Sequence, residues 1–238
     1  MSSIAFCMYA QTIPKDAVER PAPLAIGETF TIPSASLGEV RRINVYAPPG
    51  YAESTGLRLP VLYMPDGGIA EDFLHVAGLI QVSVSNGTMR PFLLVGIENT
   101  ERRRDMTGPT ENEKDKQIAA RVGGSAAFRT FIRTDLMPAV KARYRTTSEA
   151  AIVGESLAGL FVVETFLLEP ELFDTYIALD PSLWWNDRKL LKDVNRQLRA
   201  RPPLKKALFL ASSAEPELVN LTRQLAGIVE KSGIAGLE

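Results

Sequence analysis

Six short runs rich in Val, Ile and Leu recur along this chain, at 41–48, 59–64, 92–97, 150–153, 176–179 and 207–211. Most are apolar at successive positions rather than alternate ones. That is the pattern of strands covered on both faces, as in a parallel sheet flanked by helices. Helix-like stretches at 69–84, 123–142, 157–168, 188–200 and 216–231 separate the runs. Such alternation predicts an α/β domain with a mostly parallel sheet and helices on both faces. The 238 residues are enough to bury one large core without disulfides or metals.

Composition narrows the partners. Basic and acidic side chains number 27 and 28, a net charge of -1. Nucleic acid and anionic membranes call for a basic surplus on one face, so neither is expected as a partner. No stretch is long and apolar enough to predict a bilayer span. One cysteine and one histidine, Cys7 and His75, cannot build a zinc cluster, and the carboxylates lack ligand spacing. No metal and no cofactor are therefore expected.

Residues 1–22 read as a segment distinct from a domain at 23–238. Their apolar start, Ile4-Ala5-Phe6-Cys7-Met8-Tyr9-Ala10, is like the tail of a signal peptide's apolar region, although the positive n-region is missing. A signal-peptide remnant and a disordered terminus are the two readings. A periplasmic or secreted location is slightly favoured over a cytoplasmic one. Residues 99–122 read as a long connecting loop. Its arginines, Arg102, Arg103 and Arg104, are expected to be solvated or paired with nearby acids.

The run 150–153 leads straight into Gly154-Glu155-Ser156-Leu157-Ala158-Gly159, and an apolar helical pattern follows. Gly-x-Ser-x-small between a strand and a helix is the nucleophile-elbow pattern. Small neighbours let strand and helix pack closely around a strained turn that exposes the hydroxyl. Ser156 is thus the candidate nucleophile, and the Leu157 N–H, at a helix N-terminus, a candidate oxyanion donor. A second donor is expected from the glycines of Asp66-Gly67-Gly68, after the run 59–64. The acid of a triad should follow the serine and lie past a later strand. Glu215 fits, with Asp180 as the competitor and Glu217 as a weaker third.

Five stretches stand out together: Leu62-Tyr-Met-Pro-Asp-Gly-Gly68, Phe73-Leu-His75, Val95-Gly-Ile-Glu-Asn-Thr100 with Arg102–Asp105, Gly154–Leu160 and Asp180-Pro-Ser-Leu-Trp-Trp-Asn186. In these the chain resembles the Putative esterase branch of the α/β hydrolases, with its esterase D-like and siderophore-esterase-like members. The resemblance implies an α/β-hydrolase fold. It implies hydrolysis of a small-molecule ester through an acyl-enzyme on Ser156, with Glu215 as acid and Trp184 and Trp185 near the pocket. It also implies a late histidine after a last strand. The sequence reaches Gly233–Glu238 about where that strand would begin. The last strand, the histidine loop and the final helix are therefore expected to be missing and the activity weak. An exposed edge at 207–211 would then favour a homodimer. His75 precedes the serine and is expected to be a packed or hydrogen-bonded helix residue. A non-catalytic binding protein and an acyltransferase on the same fold are the alternatives.

Overall fold

The computed structural model describes residues 22–199, 203 and 205–237. All but the last residue of the N-terminal segment 1–22 lie outside them. Seven strands form one sheet: β1 (Glu28–Ser34), β2 (Glu39–Tyr46), β3 (Leu59–Pro65), β4 (Leu93–Ile97), β5 (Thr146–Glu155), β6 (Thr175–Leu179) and β7 (Ala207–Ala211). Their order is β1-β2-β4-β3-β5-β6-β7. β1 and β2 pair antiparallel, as do β2 and β4. Every later pairing is parallel.

Both faces of the sheet are covered, as the apolar runs predict. Helix α1 (Phe73–Ser85) buries Phe73, Ala77 and Ile80 against Leu62, Met64, Leu94 and Ala151. The opposite face carries the larger core. There α4 (Ser125–Phe131), α5 (Met137–Arg143), α6 (Leu157–Leu168), α7 (Trp185–Arg199) and α8 (Pro216–Ser232) pack over Val61, Tyr63, Val95, Ile152 and Tyr176. α6 is buried nearly all round, because it lies at the centre of this layer.

The expected helix at 123–142 is interrupted. A π-helical turn, Ile132–Leu136, separates α4 from α5. The Met137 N–H reaches back to the Ile132 carbonyl, and Pro138 next to it has no N–H to continue the ordinary ladder. The expected loop 99–122 contains two short helices, α2 (Arg102–Met106) and α3 (Glu113–Ile118). Periodicity missed them because each is under two turns long.

The α2 segment is fastened by charge. Arg41 on β2 and Asp105 on α2 are both fully buried and meet at 2.5 Å. The Arg41 guanidinium also lies over the rings of Phe128 and Phe131. Arg104 bonds both Asp105 and Glu39. β7 closes the far side of the sheet, with Phe209 exposed on it. Beside its start, Leu237 makes a single parallel bridge to Lys206.

Candidate active site

The candidate site is assembled at the carboxyl ends of β3, β5 and β6. Ser156 follows β5 with φ 57° and ψ −117°, a conformation L-residues rarely adopt. Three backbone bonds hold it there. Its N–H donates to the Leu179 carbonyl, and its own carbonyl accepts from the N–H groups of Leu160 and Ser182. The turn needs its small neighbours. A Cβ on Gly154 would lie 2.6 Å from the Ala158 carbonyl carbon. Ser156 itself is half-buried, and α6 begins at Leu157. The Leu157 N–H is therefore among the orphan donors of a first helical turn, with the positive end of the helix dipole behind it.

The other expected donors are committed elsewhere. Gly67 extends the β3–β4 pairing past the strand: its N–H donates to the Ile97 carbonyl at 2.9 Å, and its carbonyl accepts from the Asn44 side chain. This corrects the expectation for Gly67, since an N–H spent on the sheet cannot also meet an oxyanion. The Gly68 N–H donates to Glu71 Oε2 at 2.6 Å, and Glu71 Oε1 accepts from the Asn99 N–H. A carboxylate thus occupies Gly68 in this arrangement.

The candidate acids are also engaged. Glu215 is exposed and caps α8, accepting from the Leu218 N–H at 2.8 Å. Asp180, at φ 43°, bonds the same connection between β7 and α8. Its N–H donates to the Ala211 carbonyl, and its Oδ1 accepts from the Ser213 N–H at 2.6 Å. Glu217 pairs with Arg188.

Trp184 is half-buried and Trp185 buried, with ring centroids 6.1 Å apart. The Trp185 indole N–H donates to the Gly108 carbonyl, so this ring is a core residue with its polar atom satisfied. Beyond it, Asn186, Asp187 and Arg188 all have positive φ. Asn186 is latched by Asp115 and the Pro109 carbonyl.

His75 is exposed on α1 and has no hydrogen-bond partner among the described residues, which corrects its expected packed role. Its helix position turns it away from the buried stripe of Phe73, Ala77 and Ile80. The expected pairing of arginines holds for Arg102 and Arg104, and Arg103 is exposed. Among the described residues no group of three metal-ligating side chains occurs.

Two site features escaped sequence reasoning. One is Ser182, whose hydroxyl lies 3.3 Å from the Ser156 hydroxyl. The other is the Asp66 carboxylate, gripped by Arg102 and Asn99. The adjoining Pro181-Ser182-Leu183 segment is short and strongly apolar around the serine, but nothing local marks the hydroxyl.

A family model described as Putative esterase matches residues 34–215. The chain belongs to the Putative esterase family. Relatives of this chain include the ferri-bacillibactin esterase BesA of Bacillus subtilis (strain 168), 32% identical over 183 residues, covering 68% of this chain and 63% of BesA. The siderophore triacetylfusarinine C esterase of Aspergillus fumigatus is 30% identical over 185 residues, covering 73% and 61%. The chain therefore spans a little over three fifths of these relatives' length. Among solved structures, an IroE-like serine hydrolase from Shewanella oneidensis superposes with a TM-score of 0.78 at 29% identity, covering 89% of this chain and 71% of that one. Siderophore hydrolase EstB from Aspergillus nidulans has a TM-score of 0.75 at 22% identity, covering 92% and 88%, which is likeness of fold. The fold is that of the α/β hydrolases, as the resemblance implied. Among the described residues no helix is long and apolar enough to cross a membrane.

Proposed function

We propose that this chain is a serine carboxylic-ester hydrolase that forms an acyl-enzyme on Ser156. The observation that carries the reading is the Ser156 backbone at φ 57°, held in a strand-to-helix turn by the Leu179 carbonyl and the Ser182 N–H. Non-glycine residues persist in such conformations only where the surroundings enforce them, and nucleophile turns are one such place.

In this reading Ser156 Oγ attacks the ester carbonyl, its proton passes through solvent water to the departing alkoxide, and the alcohol leaves as the Ser156 acyl ester forms. The Leu157 N–H and the α6 dipole meet the developing oxyanion. Gly68 supplies the second N–H once the Glu71 carboxylate swings aside. An acid at the β7–α8 connection completes the set. Glu215 lies there, Asp180 reaches it from the end of β6 through the Ser213 N–H, and both already accept a backbone N–H. Half-buried Trp184, two residues after Ser182, would touch the acyl group.

The substrate we propose is a small-molecule ester of the siderophore kind, which the names of the relatives support. A periplasmic or secreted setting fits that substrate. Self-association through the β7 edge is the quaternary arrangement we propose, with exposed Phe209 at the contact. A second reading, a non-catalytic binding protein on the hydrolase fold, is favoured by one observation: the chain's single histidine is exposed on α1.

Hydrolysis of p-nitrophenyl acetate and butyrate and of a catecholate trilactone, by this chain and by Ser156→Ala, separates the two. Turnover that vanishes in the alanine variant supports the esterase. Turnover equal to that of the alanine variant removes the esterase reading and leaves the binding protein.

A further inference from the structure

We propose that Ser182 is a second hydroxyl of the catalytic centre, one that donates a hydrogen bond to Ser156 Oγ as negative charge develops there. The proposal rests on the reading of Ser156 as the nucleophile.

Three observations converge on it. First, the two hydroxyl oxygens are 3.3 Å apart, although 26 positions separate the residues in sequence. Second, Ser182 is only 2% exposed, and among the described residues its hydroxyl has a single hydrogen-bond partner, the nucleophile's. A serine buried for structure alone usually spends its hydroxyl on a backbone carbonyl or another fixed group. Third, the main chain fixes the Ser182 position without help from its side chain. Its N–H donates to the Ser156 carbonyl at 3.0 Å, and its carbonyl accepts from the Trp185 N–H at 3.1 Å. Pro181 and Leu183 on either side are buried, and Pro181 packs against Gly159 in the first turn of α6. Elbow and Ser182 are thus one rigid unit.

The chemistry follows from burial. When Ser156 Oγ attacks, its proton passes to solvent water and on to the departing leaving group, and its oxygen carries alkoxide-like charge in between. A hydroxyl that keeps its own proton can donate into that charge, and a charge-assisted bond in a site of low polarity is stronger than the neutral pair. At 3.3 Å the resting contact is longer than a good O–H···O bond, and such contacts tighten in the reacting complex. No bond to the Ser182 oxygen forms or breaks during the step. Ser182 differs from Leu157 in what it serves: the backbone N–H meets the substrate's oxygen, whereas the hydroxyl meets the enzyme's.

The test is phosphonylation of Ser156 by a fluorophosphonate probe, followed by mass spectrometry, for the 238-residue chain and for Ser182→Ala and Ser182→Thr. The expected result is a fall of about 10- to 100-fold in the saturating rate constant for Ser182→Ala, the size expected from losing one donor to a developing charge. The half-saturating probe concentration and the melting temperature should stay unchanged, because Ser182→Ala keeps both backbone bonds. Ser182→Thr retains the hydroxyl and should recover most of the rate, and if it does not fold the alanine result decides alone. Equal rates for the native chain and Ser182→Ala would overturn this proposal and leave the nucleophile reading intact. No labelling of Ser156 in the native chain would overturn both.

Discussion

Arg102 grips Asp66 with two parallel hydrogen bonds, Nε to Oδ1 at 2.7 Å and Nη2 to Oδ2 at 2.8 Å. The pair joins the first residue of α2 to the residue that opens the Gly67-Gly68 turn, 36 positions earlier. Asp66 is buried and has φ 58°. Its conformation beside the candidate oxyanion turn is therefore set by a partner from another element. The neighbouring carboxylates of Asp66, Asp72 and Glu71, opposed by burial, raise the Arg102 guanidinium above its usual range, the Asp66 hydrogen bonds most of all.

Arg102→Ala should leave a buried carboxylate with only Asn99 beside it. A loss of about 1–3 kcal/mol is expected, the cost of an under-satisfied buried group. Urea unfolding of the two proteins measures it. Ester turnover, where present, should fall as the Gly68 N–H loses its position.

Asp105→Ala removes a partner of Arg41 where neither side chain touches solvent. Arg41 keeps Glu39 at 3.1 Å and the Glu98 carbonyl at 2.8 Å, so a destabilisation of about 1.5–3 kcal/mol is expected, the cost of losing one hydrogen bond to a charged group. Asp105→Asn should be milder, because it still offers an acceptor to Arg41. Denaturant midpoints for both variants check the order.

Ser156→Gly should abolish any turnover and yet stabilise the fold. Holding a non-glycine residue in a rarely populated region costs about 1–3 kcal/mol, and glycine gives back about 0.5–1 in chain entropy. A net gain near 1 kcal/mol corresponds to a rise of about 2–4 °C in Tm for a chain of this size. An unchanged or lower Tm would show that the turn is not strained.

Glu169 links α6 to Arg129 and Arg133. Burial pushes its carboxyl upward, but the hydrogen bonds and charges of the two arginines outweigh it and hold the group below its ordinary range. A carboxyl lowered in the folded state stabilises the protein above the unfolded pKa, and that contribution is lost as pH falls through the folded value. Glu169→Gln should therefore cost stability at pH 7 and cost progressively less below about pH 4.3, the ordinary glutamate value. Urea midpoints at pH 7 and pH 3.5 should show the gap between native and variant narrowing in acid.

The sequence determined whatever is local. Six of the seven strands follow from apolar runs, most of them near-continuous, and the elbow follows from small residues flanking a serine between a strand and a helix. Those signals are periodicity and steric size, which act over a few residues. β1 pairs along the outer edge with polar residues facing solvent, so no comparable run announced it. Likewise, the length of the 123–142 helix was legible but its π-helical turn was not.

Tertiary structure decided how the elements use their polar atoms. Gly67 looked like an oxyanion donor until β4 claimed its N–H. Glu215 was legible as a candidate acid, but its part as the cap of α8 emerged only in the fold. Trp185 looked like a pocket wall, and its ring is buried with its N–H on Gly108. Ser182 lies in a stretch that carried the resemblance, but nothing local marked its hydroxyl. Parallel pairing of β5 with β6, which sets Glu155 opposite Leu179, delivers the following residues of both strands to the same place. A hydrogen-bond partner is chosen by what lies within 3 Å after folding, and for these groups that neighbour comes from another strand or helix, so no stretch of sequence around the residue contains it.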